Sequence, residues 1–245
     1  SLVLTAGEAH HALHVLRIKE GEPVTVLDGA GRILSCEVET CSRDELALAV
    51  KENTRVPPLP CQITLLQAVP RGKIIESIIQ KAVELGASRI MPLLTERVAT
   101  RLDKNSATEK RDKWQLVAIE AIKQCGSPWL PKIETPVTIE TFLASQPAAG
   151  IQPAARSQQF ELSLVGSLQT DRRHPKEILA QFQKQNGHSP KTVGVWIGPE
   201  GDFTSDELKM IIQSGAAPIS LGRLTLRVET AAIYCLSVLN YELNS

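Results

Sequence analysis

The feature that most restricts this chain is an alternation that starts after a proline-dense stretch and continues to the last residues. ITLLQAV (63–69) is a continuous apolar run, the pattern of a strand covered on both faces. KIIESIIQKAVELG follows, with Ile74, Ile75, Ile78, Ile79, Ala82 and Val83 at helical spacing and Gly86 placed to end the helix. RIMPLL (89–94) reads as the next strand, and residues 107–125 set Trp114, Val117, Ala118, Ala121, Ile122 and Cys125 on one helical face. The rhythm returns with ELSLVGS (161–167), a helix within 171–185, VGVWI (193–197), a helix from Thr204 to Ser214, APISL (217–221) and a closing helix from about Glu229. Thr204 and Glu207 have capping-box spacing, and Gly215 is placed to stop that helix. Alternation of strand and helix requires crossover connections, so the predicted product is a parallel α/β sheet.

Upstream the pattern differs. Pro57, Pro58 and Pro60 in NTRVPPLP lack the backbone N–H and fix φ, so neither a helix nor a central strand continues there, and the linker is placed at this point. Before it, a short helical start is followed by three apolar runs, VTVLD, RILSCEV and ELALAV, separated by turn signals such as Asp28-Gly29-Ala30-Gly31. That spacing predicts a small sheet or barrel. The expected division is therefore 1–60 and 61–245, and 245 residues with 42% apolar content suffice for two such cores. Residues 144–158, small and punctuated by proline, read as a surface excursion.

No run approaches the roughly 18 apolar residues of a membrane helix, and no basic-then-apolar leader pattern opens the sequence, so a cytoplasmic protein without a membrane partner is expected. Cysteines 36, 41, 61, 125 and 235 are odd in number and lack CxxC or Cys/His spacing, which predicts reduced thiols, no metal and no disulfide framework. The net charge is zero, yet residues 71–113 carry ten Lys/Arg against six Asp/Glu. A solvated helix face and a nucleic-acid contact both fit that excess.

Several chemistries are weighed against structural explanations. His10, His11 and His14 include an i, i+4 pair, but no HExxH pattern accompanies them, and polar residues on a short helix explain them. Gly29-Ala30-Gly31 lacks the third glycine and the following helix of a dinucleotide fingerprint. Neither a Walker A sequence nor a GxSxG elbow occurs. What stands out is IGPEGD (197–202), where a buried strand hands over to a helix. Ligands of open α/β sheets bind outside the carboxyl ends of the strands, and a glycine-bearing turn there lets backbone approach them. The next strand also ends in a glycine-bearing turn, LGRLTLRVETA (221–231), so two consecutive strands deliver such loops to one rim.

IGPEGDFTSDE and LGRLTLRVETA together resemble the signature pair of the ribosomal RNA small subunit methyltransferase E family, of the SPOUT class of trefoil-knotted methyltransferases. QAVPRGKIIESIIQKAVELGASRIMPLLTERV, KWQLVAIEAIKQC and HHALHVLRIKEGEPVTVLDGAGR resemble further segments of that family, so nearly the whole chain is covered. The resemblance implies a SPOUT-type parallel sheet with a trefoil knot, preceded by a small PUA-like β-barrel that binds RNA. It implies S-adenosyl-L-methionine as cofactor, a homodimer through the SPOUT domain, and methylation of N3 of a uridine in 16S rRNA of the small ribosomal subunit. Carried over residue by residue, the cofactor-cradling set is Ile197, Gly198, Pro199, Glu200 and Gly201, then Leu221, Gly222, Leu226 and Thr230, with Leu164, Val165 and Gly166 as the adenosine-side wall. Two alternatives stay open: a SPOUT enzyme acting on another RNA such as tRNA, and a non-catalytic RNA-binding module. Three features depart from the family pattern: Asp202 where glycine is usual, Leu224 where arginine is frequent, and QCGSPWLP without its arginine.

Methyl transfer from a sulfonium is an in-line displacement, so alignment and charge placement carry the catalysis. The imide nitrogen of uridine must lose a proton, which requires either a base or a cation that stabilises the anion. Arg227 is the expected cation, and Glu229 is expected to orient it or to occupy the start of the last helix, with Glu229 or Glu200 as the alternative base. Arg17, Arg71, Lys73, Arg97, Arg101 and Lys104 are the expected contacts to RNA phosphates.

Overall fold

The computed structural model describes residues 1–42, 45–97, 104–145, 160–168 and 171–245. Two compact units are present, one comprising Ser1–Pro58 with Cys125–Leu130 and the other Leu59–Gln124 with Pro131–Ser245. The expected linear division at 60/61 thus needs one amendment, because residues 125–130 belong with the N-terminal unit.

In the N-terminal unit, β1 (Leu2–Thr5), β2 (Pro23–Leu27), β3 (Arg32–Cys41) and β4 (Glu45–Arg55) form an antiparallel sheet in the order β1-β4-β3-β2. A short helix α1 (Ala6–His10) and a π-helical turn (His11–Val15) follow β1 and bury Ala9 and Ala12 against Cys36, Val38, Leu46 and Leu48. β4 runs five residues further than its apolar run ELALAV, to Arg55, because Glu52, Asn53, Thr54 and Arg55 pair with Ser35, Leu34, Ile33 and Arg32 of β3. The strand stops before Pro57, the first residue there that has no N–H to offer. Asp28 closes the preceding turn: its Oδ1 accepts Ala30 N–H at 2.7 Å and Arg32 N–H at 2.8 Å. Segment 125–130 then caps that turn, with Gly31 N–H donating to Pro128 at 2.9 Å and the Trp129 indole donating to the Val56 and Pro57 carbonyls.

The second unit contains β5 (Gln62–Ala68), α2 (Ile74–Glu84), β6 (Ala87–Leu94), α3 (Lys104–Cys125), β7 (Lys132–Ile133), β8 (Val137–Thr138), α4 (Ile139–Ala144), β9 (Leu162–Gly166), α5 (Pro175–Asn186), β10 (Thr192–Ile197), α6 (Ser205–Gln213), β11 (Ala217–Ile219) and α7 (Val228–Asn244). The strands form a seven-stranded sheet in the order β11-β9-β10-β5-β6-β7, with β8 also paired to β6, and every pairing is parallel. This is the parallel α/β sheet that the alternation predicts. Its continuous apolar strands are buried on both sides: Leu66, Ala68, Met91, Leu93, Val165 and Trp196 pack with Phe142, Phe203, Leu208 and Ile211, while α7 packs on α2, β5 and β10.

The helix punctuation follows local chemistry. Gly86 ends α2 and Gly215 follows α6, both at positive φ. The capping box of α6 is complete: Thr204 Oγ1 accepts Glu207 N–H at 3.2 Å and Glu207 Oε2 accepts Thr204 N–H at 2.8 Å. Trp114 is buried as expected, but Cys125, placed on the apolar face by its spacing, is exposed at the helix end. Cys36, Cys61 and Cys235 are buried, and burial pushes the Cys61 and Cys235 thiols up to about 12. Among the described residues no group of His, Cys, Asp and Glu could hold a metal, and no helix is long and apolar enough to cross a membrane. His10 and His14 instead lie ring against ring at 4.5 Å.

Candidate functional site

β9, β10 and β11 are adjacent and parallel, so their carboxyl ends open on one rim. A cavity of about 490 Å³ lies there. One wall is Gly166, Ser167 and Leu168 at the end of β9; a second is Ile197, Gly198, Pro199, Glu200 and Asp202 after β10; a third is Leu221, Gly222 and Leu224–Glu229, leading into α7. The two glycine-bearing turns therefore share one cavity.

Of the residues expected to cradle a cofactor, Gly166, Ile197, Gly198, Pro199, Glu200, Leu221, Gly222 and Leu226 line it, and so do Arg227 and Glu229. Four do not. Leu164 and Val165 are fully buried in the sheet, because a strand's own residues support the rim rather than form it. Gly201 faces Arg97, whose Nη1 donates to the Gly201 carbonyl. Thr230 stands exposed in the first turn of α7, outside the lining.

Side-chain geometry separates the roles of the turn residues. A Cβ on Gly198 would meet Asp202 Oδ1 at 3.0 Å and Phe203 N at 3.2 Å, so the turn's own packing favours glycine there. Asp202 adopts φ 61°, a conformation that favours glycine, with its N–H bonded to the Pro199 carbonyl and its Oδ1 accepting Phe203 N–H. Gly222, at φ 114°, plays the equivalent part in the second turn. Glu200 Oε1 accepts Arg71 N–H at 3.0 Å and so ties the turn to the loop between β5 and α2. A third tie comes from Glu207, which is 2% exposed: its Oε1 accepts Glu96 N–H at 2.9 Å and fixes the loop after β6.

Arg227 is the N-cap residue of α7 and is exposed at the cavity, while Glu229 follows in the first turn, where the helix dipole favours an acid. No ion pair joins the two among the described residues. Arg172, half-buried and donating to the Ser167 carbonyl at 3.2 Å, is a second cation in the lining that sequence reasoning missed. Ile74, at the start of α2, was missed as well. Both enter from segments distant in sequence, and neither carries a local signal.

Among the expected phosphate contacts, Arg71 and Lys73 line a second groove in the same unit, and Arg97 rests on Gly201. Arg101 falls outside the described residues, and Lys104 is the first residue of α3. Arg17 is in the N-terminal unit, exposed and at φ 55° just beyond the π-helical turn. Exposed Leu224 stands at the cavity where a family member often has arginine.

Comparison with known proteins agrees with this architecture. Residues 57–240 match the RNA methyltransferase domain family and residues 4–51 the RNA methyltransferase PUA domain family. A Synechocystis protein named ribosomal RNA small subunit methyltransferase E is 31% identical over all of this chain and 74% of its own length. The Bacillus subtilis protein of the same name is 30% identical over 98% of this chain and 89% of its own. A Legionella pneumophila structure, described as a methyltransferase in complex with bound cofactor SAM, superposes with a TM-score of 0.83 at 29% identity, covering 98% of this chain and 91% of that one. By these matches over both units, the chain belongs to the ribosomal RNA small subunit methyltransferase E family.

Proposed function

We propose that this chain is an S-adenosylmethionine-dependent methyltransferase that modifies N3 of a uridine in 16S rRNA of the small ribosomal subunit. The observation that carries the reading is the convergence of both glycine-bearing turns, Arg227 and Glu229 on one cavity at the rim of β9, β10 and β11. Its volume of about 490 Å³ lies within the range of small-molecule sites. Its residues also suit the cofactor: Ile197, Pro199, Leu221 and Leu226 offer apolar surface to a base, and Arg172 offers a cation to a carboxylate. When bound, S-adenosylmethionine supplies a methyl group on a positively charged sulfur.

The chain's own residues do the rest. The Gly198–Glu200 and Leu221–Leu226 turns hold and orient, and this alignment lowers the barrier of an in-line displacement. Arg227 faces the uridine and stabilises the negative charge that develops on its carbonyl oxygens as N3 loses its proton. Glu229 is the better placed proton acceptor of the two acids, because Glu200 already accepts the Arg71 N–H. Arg17, Arg71, Lys73, Arg97, Arg101 and Lys104 contact RNA phosphates, and the PUA-like unit, residues 1–60 in the simplest division, holds RNA.

The trefoil knot and a cytoplasmic homodimer belong to the same proposal. The knot is supported by residues 221–229 sharing a cavity with the ends of β9 and β10 before α7 packs on α2 and β5. The dimer is supported by Tyr234 and Tyr241, seven residues apart on α7 and 42% and 74% exposed.

The test is mass spectrometry of 16S rRNA from a strain lacking this protein. N3-methyluridine should be lost and should return with the wild-type chain. Arg227→Ala should restore less than about 1% of the wild-type rate at saturating cofactor, the scale of losing one charge-stabilising donor. Unchanged 16S rRNA with a methyl group missing from a tRNA would move the activity to that substrate, and full activity of Arg227→Ala would remove its assigned role.

A further inference from the structure

The groove beside the cavity has a composition that the cavity lacks. Its volume is about 560 Å³, and it is formed by the loop from Val69 to Lys73 and by α3. Arg71 and Lys73 reach it from the loop, and Lys110 and Lys113 from α3, where a spacing of three residues puts both on one face. The only acid in the lining is Glu76, and Lys113 engages it at 2.6 Å. Arg71, Lys73 and Lys110 make no ion pair among the described residues, so a surplus of positive charge is concentrated here on a chain whose net charge is zero.

Three further facts narrow the ligand. α2 begins at the groove with Lys73 as its N-cap and no side chain accepting its first N–H groups, so the backbone adds to the attraction for an anion. Trp114 is 4% exposed and forms part of the floor, so no aromatic face is presented on which a base could stack. The loop is also shared: Ile74 lines the cavity while Lys73 and Ile75 line the groove, and Glu200 of the cavity accepts Arg71 N–H.

We infer that this groove is a phosphate subsite that holds the sugar–phosphate backbone of the RNA strand whose uridine enters the neighbouring cavity. It adds Lys110 and Lys113 to the RNA contacts and reads charge, not sequence. The inference rests on the proposed rRNA substrate.

The test compares the full-length chain with Lys73→Gln/Lys110→Gln and with Lys184→Gln, a control on α5, for binding of a 16S rRNA fragment at 50 and 200 mM salt. Two lost phosphate contacts lower the salt exponent by roughly 1.4, so the fourfold rise in salt should weaken the wild type about sevenfold more than the double variant. The control should behave as wild type, and S-adenosylmethionine titrated by calorimetry should bind all three alike. A double variant with wild-type affinity and salt slope, in a protein that methylates 16S rRNA, overturns the groove and leaves the function standing. A wild-type chain that binds S-adenosylmethionine but ignores 16S rRNA overturns the substrate reading and this inference with it. Tripolyphosphate binding that is lost in the double variant while the RNA slope is kept assigns the groove to a small anion instead.

Discussion

Asp202 holds a backbone conformation, φ 61°, that costs most L-residues about 1–2 kcal/mol and glycine far less. Its short carboxylate, bonded to Phe203 N–H at 2.8 Å, is what makes the position tolerable. Asp202→Gly should therefore unfold in urea within about 1 kcal/mol of wild type, whereas Asp202→Ala, strained and without the bond, should fall about 1–2 kcal/mol below Asp202→Gly. Equal midpoints for the two would mean that the turn stores no strain. Glu207 makes a sharper demand, because both of its oxygens accept backbone N–H groups and only a carboxylate offers two acceptors in that shape. Glu207→Gln turns an NH₂ against one of those donors at a site 2% exposed, so a loss of about 1–3 kcal/mol is expected from the same urea midpoints. A wild-type midpoint would show that water replaces the lost acceptor. Nothing in TSDE announces the second bond, since the sequence carries only the helix-start signal. The cavity shows the same split: turn residues contiguous in two motifs were legible, and Arg172 and Ile74 were not.

Elements were legible where their pattern was long. β5, α2, β6, α3 and β10 were each anticipated to within a few residues because an apolar run or period marks them, and α6 because Thr204, Glu207 and Gly215 mark its two ends. The two-residue strands β7 and β8 and the six-residue α4 lie below that length; β7 and β8 form because β6 offers them an edge, and α4 starts where the Thr138 side chain accepts Thr141 N–H. β4 exceeded its apolar run because pairing with β3 satisfies backbone groups whatever the side chains are. Burial direction was less legible than extent. Cys125 shares the helical phase of Trp114, Ala118 and Ala121, yet it is the last residue of α3 and is exposed.

At the scale of the whole molecule, zero net charge concealed a local excess, and a net charge of +4 over residues 71–113 could not say which of those charges converge. Folding sorts them: Arg71, Lys73, Lys110 and Lys113 meet in a groove, Lys81 pairs with Glu84, and Arg89 pairs with Glu134. The partition into units was hidden for a related reason, since SPWL carries no β-unit signature and joins the N-terminal unit only through contacts made in three dimensions. A fragment ending at residue 58 lacks Trp129, the indole that a Cβ on Gly31 would strike at 2.5 Å. That fragment should show no cooperative thermal transition by circular dichroism, and a sharp one would mean that the six residues add nothing.

Segment 125–130 also sets an order of events during synthesis. The N-terminal unit does not have its full set of contacts when its own strands have emerged from the ribosome, because its last piece is made 72 residues later, a wait of roughly 4–14 s at ordinary elongation rates. During that interval β5, α2, β6 and α3 of the second unit are made, so synthesis of the second unit begins before the last contacts of the first are available.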